Sequence, residues 1–275
     1  MDFFSSLPKR WAWDSHTAMM LEILGRALAQ YLSKPRERGA RVATTRPETL
    51  AATLKKGDVL LIEGNTRISV AIKYLTQSSW SHATLFVGDA FDPPTAGDEA
   101  KVLVEADVLE GVRAIPLRTY SALNTRICRP VGLSPEEIDK VVAYALSRVG
   151  HRYDLKNVID LVRYVIHTPP VTSRWRRRLL ALGSGDPTRA ICSSLIAQAF
   201  EAVRYPILPE VVFEKSQDPA CLECYHEVLH IRHHSLYTPR DFDVSPYFQI
   251  VKPTIDRGFD PHAVNWEPTD AMGEA

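Results

Sequence analysis

A chain of 275 residues with 45% hydrophobic and 24% charged side chains is long enough to bury a sizeable core, which excludes a low-complexity segment or a disulfide-stapled miniature. Lysine plus arginine and aspartate plus glutamate both number 33, so the charge balance gives no ground for nucleic acid or an acidic partner. Four cysteines (Cys128, Cys192, Cys221, Cys224), no signal-peptide pattern in Met1–Arg10 and no bilayer-length apolar run predict a reducing, cytoplasmic setting without integral membrane association.

Apolar residues from Met19 to Leu32 recur at helical spacing and predict an amphipathic helix packed on the core; 34–48, rich in arginine and proline, reads as an exposed connection. Gly57–Gly64 is an apolar run between glycines and predicts the first strand. A short helix should follow, with Ile68, Val70, Ala71, Tyr74 and Leu75 on its buried face. Ser81–Gly88 and Lys101–Asp107 predict two more strands. In the first, His82 shares a face with Thr84 and Phe86; in the second, Glu105 projects away from Val102 and Val104. Gly111–Leu117 and Arg126–Pro130 complete an expected antiparallel meander. Ser134-Pro135-Glu136-Glu137 then opens a helix that Gly150 stops. A further helix is expected over Tyr153–Ile166, a closing strand at Phe248–Val251, and a polar, loosely held tail after Pro253. The fold class is α+β, an antiparallel sheet packed on helices.

Ala190 to Phe200 carries Cys192 just ahead of an apolar helical pattern. A thiol at a helix N-terminus faces unpaired N–H groups and the positive end of the dipole, which favour the thiolate. Asp186-Pro187, an N-cap followed by a first-turn proline, competes with that placement and would move Cys192 into the second turn. A nucleophilic thiol needs a base, and the base needs an orienting group; His82 and Glu105, on neighbouring strands, supply both types.

A second constellation is Cys221, Cys224, His226, Glu227, His230, His233 and His234. His226-Glu227-Val228-Leu229-His230 matches the HExxH zinc pattern, which requires two histidines one helical turn apart. Three readings stand: no metal, a structural zinc on Cys221, Cys224, His226 and His230, or a zinc hydrolase in which Glu227 activates water. No cofactor is the expectation.

The ordered set Gly57-Asp58-Val59-Leu60-Leu61, Ser81-His82-Ala83-Thr84-Leu85, Val104-Glu105-Ala106, Gly111-Val112-Arg113, Tyr153-Asp154, Cys192-Ser193 and Tyr237-Thr238-Pro239-Arg240-Asp241-Phe242 resembles the YiiX/YaeF-like permuted papain-fold family. That group is a branch of the NlpC-type cysteine hydrolases, related to the lecithin retinol acyltransferases. The resemblance implies a circularly permuted papain-like domain over 55–252, between an N-terminal helical extension (1–54) and the tail (253–275). It implies Cys192 as nucleophile, His82 as base, Glu105 as orienting group and Tyr153 in the pocket. The implied chemistry is hydrolysis or acyl transfer on an amide, ester or thioester through an acyl-enzyme, with a small-molecule, peptide or lipid acyl substrate. Ser194 stands where relatives often carry a glutamate, and the insert ahead of Cys192 is long and basic. A non-catalytic binding module on the same fold is the remaining alternative.

Overall fold

The computed structural model describes residues 30–31, 33–34, 43–91, 99–107, 110–151, 191–215 and 225–264. The described helices are α1 (Pro47–Thr53), α2 (Arg67–Thr76), α3 (Pro135–Ser147), α4 (Ile191–Glu201), α5 (Pro239–Val244) and α6 (Pro253–Asp256). The strands are β1 (Val59–Glu63), β2 (His82–Phe86), β3 (Lys101–Asp107), β4 (Gly111–Pro116), β5 (Asn124–Pro130), β6 (Glu210–Lys215), β7 (Tyr225–His230) and β8 (Phe248–Val251). The expected helices over Met19–Leu32 and Tyr153–Ile166 lie almost wholly outside the described residues.

Six strands form one antiparallel sheet in the order β4-β3-β2-β1-β5-β8. Its centre is β1, buried along its whole length, which is why Val59–Ile62 reads as a continuous apolar run rather than an alternating one. Alternation still sorts its side chains. Val59 and Leu61 enter a large cluster with Ala83, Leu85 and Val104 from the sheet and with Val141, Leu195, Ile196 and Phe200 from α3 and α4. Leu60 and Ile62 face the other way, with Leu103 and Ile127 and with Leu50 and Leu54 from α1 and its C-cap. Helices therefore cover both faces, and the α+β expectation holds.

The expected meander holds only from β1 to β4. Instead of continuing outward from β4, β5 returns to pair with β1, in a register from Val59↔Cys128 to Glu63↔Asn124. The connection must pass β3 and β2 to get there. It carries the 3-10 turn Leu117–Tyr120 across the α1 face, where Leu117, Tyr120 and Leu123 pack on the Leu60/Ile62 cluster. Antiparallel pairing of β1 with β5 and with β2 leaves neither flank of the central strand unpaired, a gain the local sequence pattern does not display.

Helix α3 starts where its capping box predicts: the Ser134 hydroxyl accepts from the Glu137 N–H, and the Glu137 carboxylate accepts from the Ser134 N–H. Two local expectations fail. Tyr74 is exposed, because α2 seats Ser69 against Gly64, where a Cβ would lie 2.3 Å from the Ser69 hydroxyl, and Tyr74 is about 140° further round the helix. After Pro253, which is buried, the chain turns into α6 and packs on α1 rather than trailing off.

The HEVLH segment lies in β7, paired with β6 from Glu210↔His230 to Lys215↔Tyr225. On a strand, positions four apart are separated by about 13 Å, against about 6 Å on a helix. His226 and His230 therefore do not form the one-turn pair that HExxH zinc chemistry needs, and the zinc-hydrolase reading is corrected. Cys221 and Cys224 lie outside the described residues. Among the described residues, no group of three or more histidine, cysteine or acidic side chains could hold a metal ion.

Candidate active site

His82 is the first residue of β2, and Glu105 lies near the C-terminal end of β3, so the hairpin register brings their side chains to the same end of the sheet. The ladder between these strands stops at Leu85↔Val104. Beyond it, the Ala83 N–H donates to the Cys192 sulfur, which enters at the open end of the sheet. Cys192 is the second described residue of α4, and the residues before Ile191, the competing Asp186-Pro187 signal among them, lie outside the described residues. The apolar face of α4 (Leu195, Ile196, Ala199, Phe200) is fully buried against the sheet and fixes how the turn that carries Cys192 meets it.

His82 Nε2 lies 2.7 Å from Glu105 Oε2. The Cys192 thiol is buried, with Sγ 3.9 Å from the Ser193 hydroxyl, and it forms a hydrogen-bonded couple with His82. Burial alone would favour the neutral forms of both partners. It is outweighed: the negative sulfur and the Glu105 carboxylate hold the His82 imidazole well above its usual range, while His82 and the Ala83 N–H hold the Cys192 thiol below its own. The arrangement favours a thiolate–imidazolium pair. Cys128, the other described free cysteine, is buried beside Asp243 and its thiol is pushed up, the opposite direction.

Glu105 is 1% exposed. Its Oε1 accepts from Arg113 Nε at 2.8 Å and pairs with Nη2 at 2.8 Å, and its Oε2 accepts from the Tyr120 hydroxyl as well as from His82. Burial pushes a carboxyl up, but His82, Tyr120 and Arg113 together bring Glu105 down to about 2. An unfolded glutamate titrates near 4.3, so this group contributes roughly 3 kcal/mol of stability that is fully present above that value and lost as pH falls toward 2. The prediction is that the unfolding free energy of wild type relative to Glu105→Gln shrinks by about 3 kcal/mol between pH 5 and pH 2 in urea titrations. A constant difference would show that the carboxylate is not held ionised.

Sequence reasoning thus names residues that the fold does bring together: Cys192, His82 and Glu105. Tyr153 lies outside the described residues. What it missed is the surroundings of Glu105. Arg113 was legible, because the antiparallel register that pairs Asp107 with Gly111 puts Glu105 opposite Arg113. Tyr120 was not, because it depends on the crossover. Around the site, Trp80 donates to Asp243 at 3.1 Å, and Arg126 pairs with the same carboxylate at 2.5 Å. This ties α5, with its Thr238/Asp241 capping box and buried Phe242, to the strand start that presents His82. A separate cavity of about 470 Å³ runs between α3 and α4, lined by Tyr144, Arg148, His151, Gln198 and neighbours; its lining includes none of Cys192, His82 or Glu105.

A histidine strand that precedes the cysteine helix, on an antiparallel sheet flanked by helices, defines a permuted papain-like protein. Residues 53–164 match the model of the permuted papain-like amidase family YaeF/YiiX, the C92 peptidases. By this match the chain is similar to the YiiX/YaeF-like permuted papain-fold proteins. The protein named probable lipoprotein peptidase YaeF from Escherichia coli K12 is 21% identical over 176 residues, 58% of this chain. The chain spans about 60% of the length of that curated relative. The crystal structure of an Escherichia coli O157:H7 protein described as metalloprotein yiiX aligns over 72% of this chain and 96% of its own, at 16% identity and a TM-score of 0.40. No helix of the described residues is long and apolar enough to cross a membrane.

Proposed function

We propose that this protein is a cysteine-dependent hydrolase or acyltransferase acting on an amide, ester or thioester. The observation that carries the reading is the coupling of buried Cys192 to His82, itself 2.7 Å from a buried, ionised Glu105. In this reading the Cys192 thiolate attacks the carbonyl carbon, and the developing oxyanion is held by the Cys192 N–H. The His82 imidazolium gives its proton to the leaving amine, alcohol or thiol, which departs and leaves a thioester on Cys192. His82, now neutral, takes a proton from water or from a second acceptor as that group attacks the thioester, and the thiolate returns. Glu105 keeps the ring oriented throughout and stabilises it whenever it carries the extra proton. The catalytic unit is residues 55–252 together with α1, whose Leu50 shares its core.

The test is exposure of the full chain to activated peptide, ester and lipid acyl donors, followed by mass spectrometry of the Cys192 peptide. The expected outcome is a thioester adduct on Cys192 whose preferred donor names the substrate class. Donor turnover that persists in Cys192→Ala would overturn the reading, as would a non-catalytic module's signature, an unmodified Cys192 with every donor.

A further inference from the structure

We infer that Arg113 and Tyr120 are positioning residues that act on His82 and Cys192 through Glu105. The inference rests on the thiol-enzyme reading above and adds to it the groups that set the protonation of its nucleophile.

The two carboxylate oxygens are divided between different jobs. Oε1 is taken by the Arg113 fork, both contacts at 2.8 Å. Oε2 is shared by His82 Nε2 and the Tyr120 hydroxyl. A carboxylate with one oxygen clamped by a planar guanidinium cannot rotate, so the other oxygen is presented to His82 in one orientation. Arg113 is itself anchored by Glu110 at 2.6 Å and approached by Asp107 at 3.7 Å. Its charge is thus spread over three carboxylates, and the excess anion favours the imidazolium. Tyr120 lies against the His82 ring, with centroids 5.8 Å apart and planes tilted by 52°, so it limits ring motion as well as feeding Oε2. Among the described residues, the groups that face His82 are Glu105 from β3, Cys192 from α4 and Tyr120 from the crossover, with Arg113 on β4 one contact behind.

Each substitution has its own direction. Arg113→Gln removes a cation from a site that holds both a thiolate and an imidazolium. The thiolate becomes harder to form and the imidazolium harder to discharge, so both limbs of a reactivity profile move to higher pH. Tyr120→Phe leaves Oε2 to His82 alone, which strengthens the acceptor, holds the imidazolium longer and moves the alkaline limb upward while leaving the acid limb near its place.

The experiment is the pH dependence of iodoacetamide alkylation of Cys192, read by peptide mass spectrometry, in wild type, His82→Ala, Arg113→Gln, Arg113→Lys and Tyr120→Phe, each checked for folding by thermal melting. Arg113→Gln should move the acid midpoint to higher pH, and Arg113→Lys should restore most of the shift. Wild-type profiles in folded Arg113→Gln and Tyr120→Phe would overturn the inference while leaving the thiol-enzyme reading intact. A wild-type Cys192 that is unreactive at low pH, or indifferent to His82→Ala, would instead overturn that reading. Should Arg113→Gln not fold, Tyr120→Phe decides alone, since it removes one hydroxyl and no charge.

Discussion

Replacement of His82 by alanine is expected to slow alkylation of Cys192 at pH 5.5 by roughly 30- to 100-fold, and to turn a nearly flat pH profile into one that rises tenfold per unit. In wild type burial raises the thiol but His82 outweighs it, so thiolate forms at lower pH than in a free cysteine. Without the imidazole, burial stands against only the Ala83 N–H and the Ser193 hydroxyl, and a thiol back in the range of a free cysteine near 8.5 leaves a thiolate fraction of about 10⁻³ at pH 5.5. Part of that thousandfold is recovered because a more basic thiolate is a better nucleophile, with a Brønsted coefficient of about 0.4–0.5. The slope is the more robust signature, since it reports the proton and not the reagent. The alkaline limit follows from the other partner: His82 is raised, so the ion pair is present at low pH and is lost only as pH climbs through the raised value. A flat profile in both proteins would mean that Cys192 and His82 do not share a proton.

The second large effect concerns stability. Asp58, 1% exposed, receives the Arg129 fork, with Nε to Oδ1 at 2.8 Å and Nη2 to Oδ2 at 2.7 Å, and also accepts from the Lys55 N–H. The same guanidinium donates to the Thr53 carbonyl, so one ion pair ties α1, the entry to β1 and strand β5 together. A buried pair of this kind need not be more stable than an apolar replacement of both partners, but removing one leaves the other charge buried and uncompensated, at a cost of about 3–5 kcal/mol. Against a typical margin of 5–15 kcal/mol, Asp58→Ala should lose about a fifth or more of the protein's stability, measured as a drop in the urea midpoint at unchanged slope. Asp58→Asn, which keeps the shape and part of the hydrogen bonding, should lose less. The pair is at the Val59 end of β1, whereas His82 lies opposite Ile62, so Cys192 reactivity per folded molecule should not change in either variant. The glycine before it is fixed by the same corner: Gly57 has φ +88°, and a Cβ there would stand 2.8 Å from Ile138.

Much of the sheet was legible because strands are local objects. Lys101–Asp107 and Phe248–Val251 fall where alternation and β-branched residues put them, and α3 begins at the capping box that Ser134 and Glu137 spell out. The HEVLH segment shows the opposite case. Its spacing suits a helix, yet its partner Glu210–Lys215, with Val211, Val212 and Phe213, offers a complementary strand that no motif within the segment announces. Pairing with a distant stretch overrode a five-residue pattern.

What the sequence by itself determined is the residue types of the candidate site and their order along the chain: a strand histidine, a strand glutamate, then a cysteine on a helix. Side-chain chemistry and short-range periodicity suffice for that. The tertiary structure alone decided that β5 returns to β1, because pairing across 60 residues depends on which flank is free rather than on local pattern. With that return came the crossover that lays Tyr120 on Glu105, the open end of the β2–β3 ladder that admits the Cys192 sulfur, and the burial that makes each charge there depend on its neighbours.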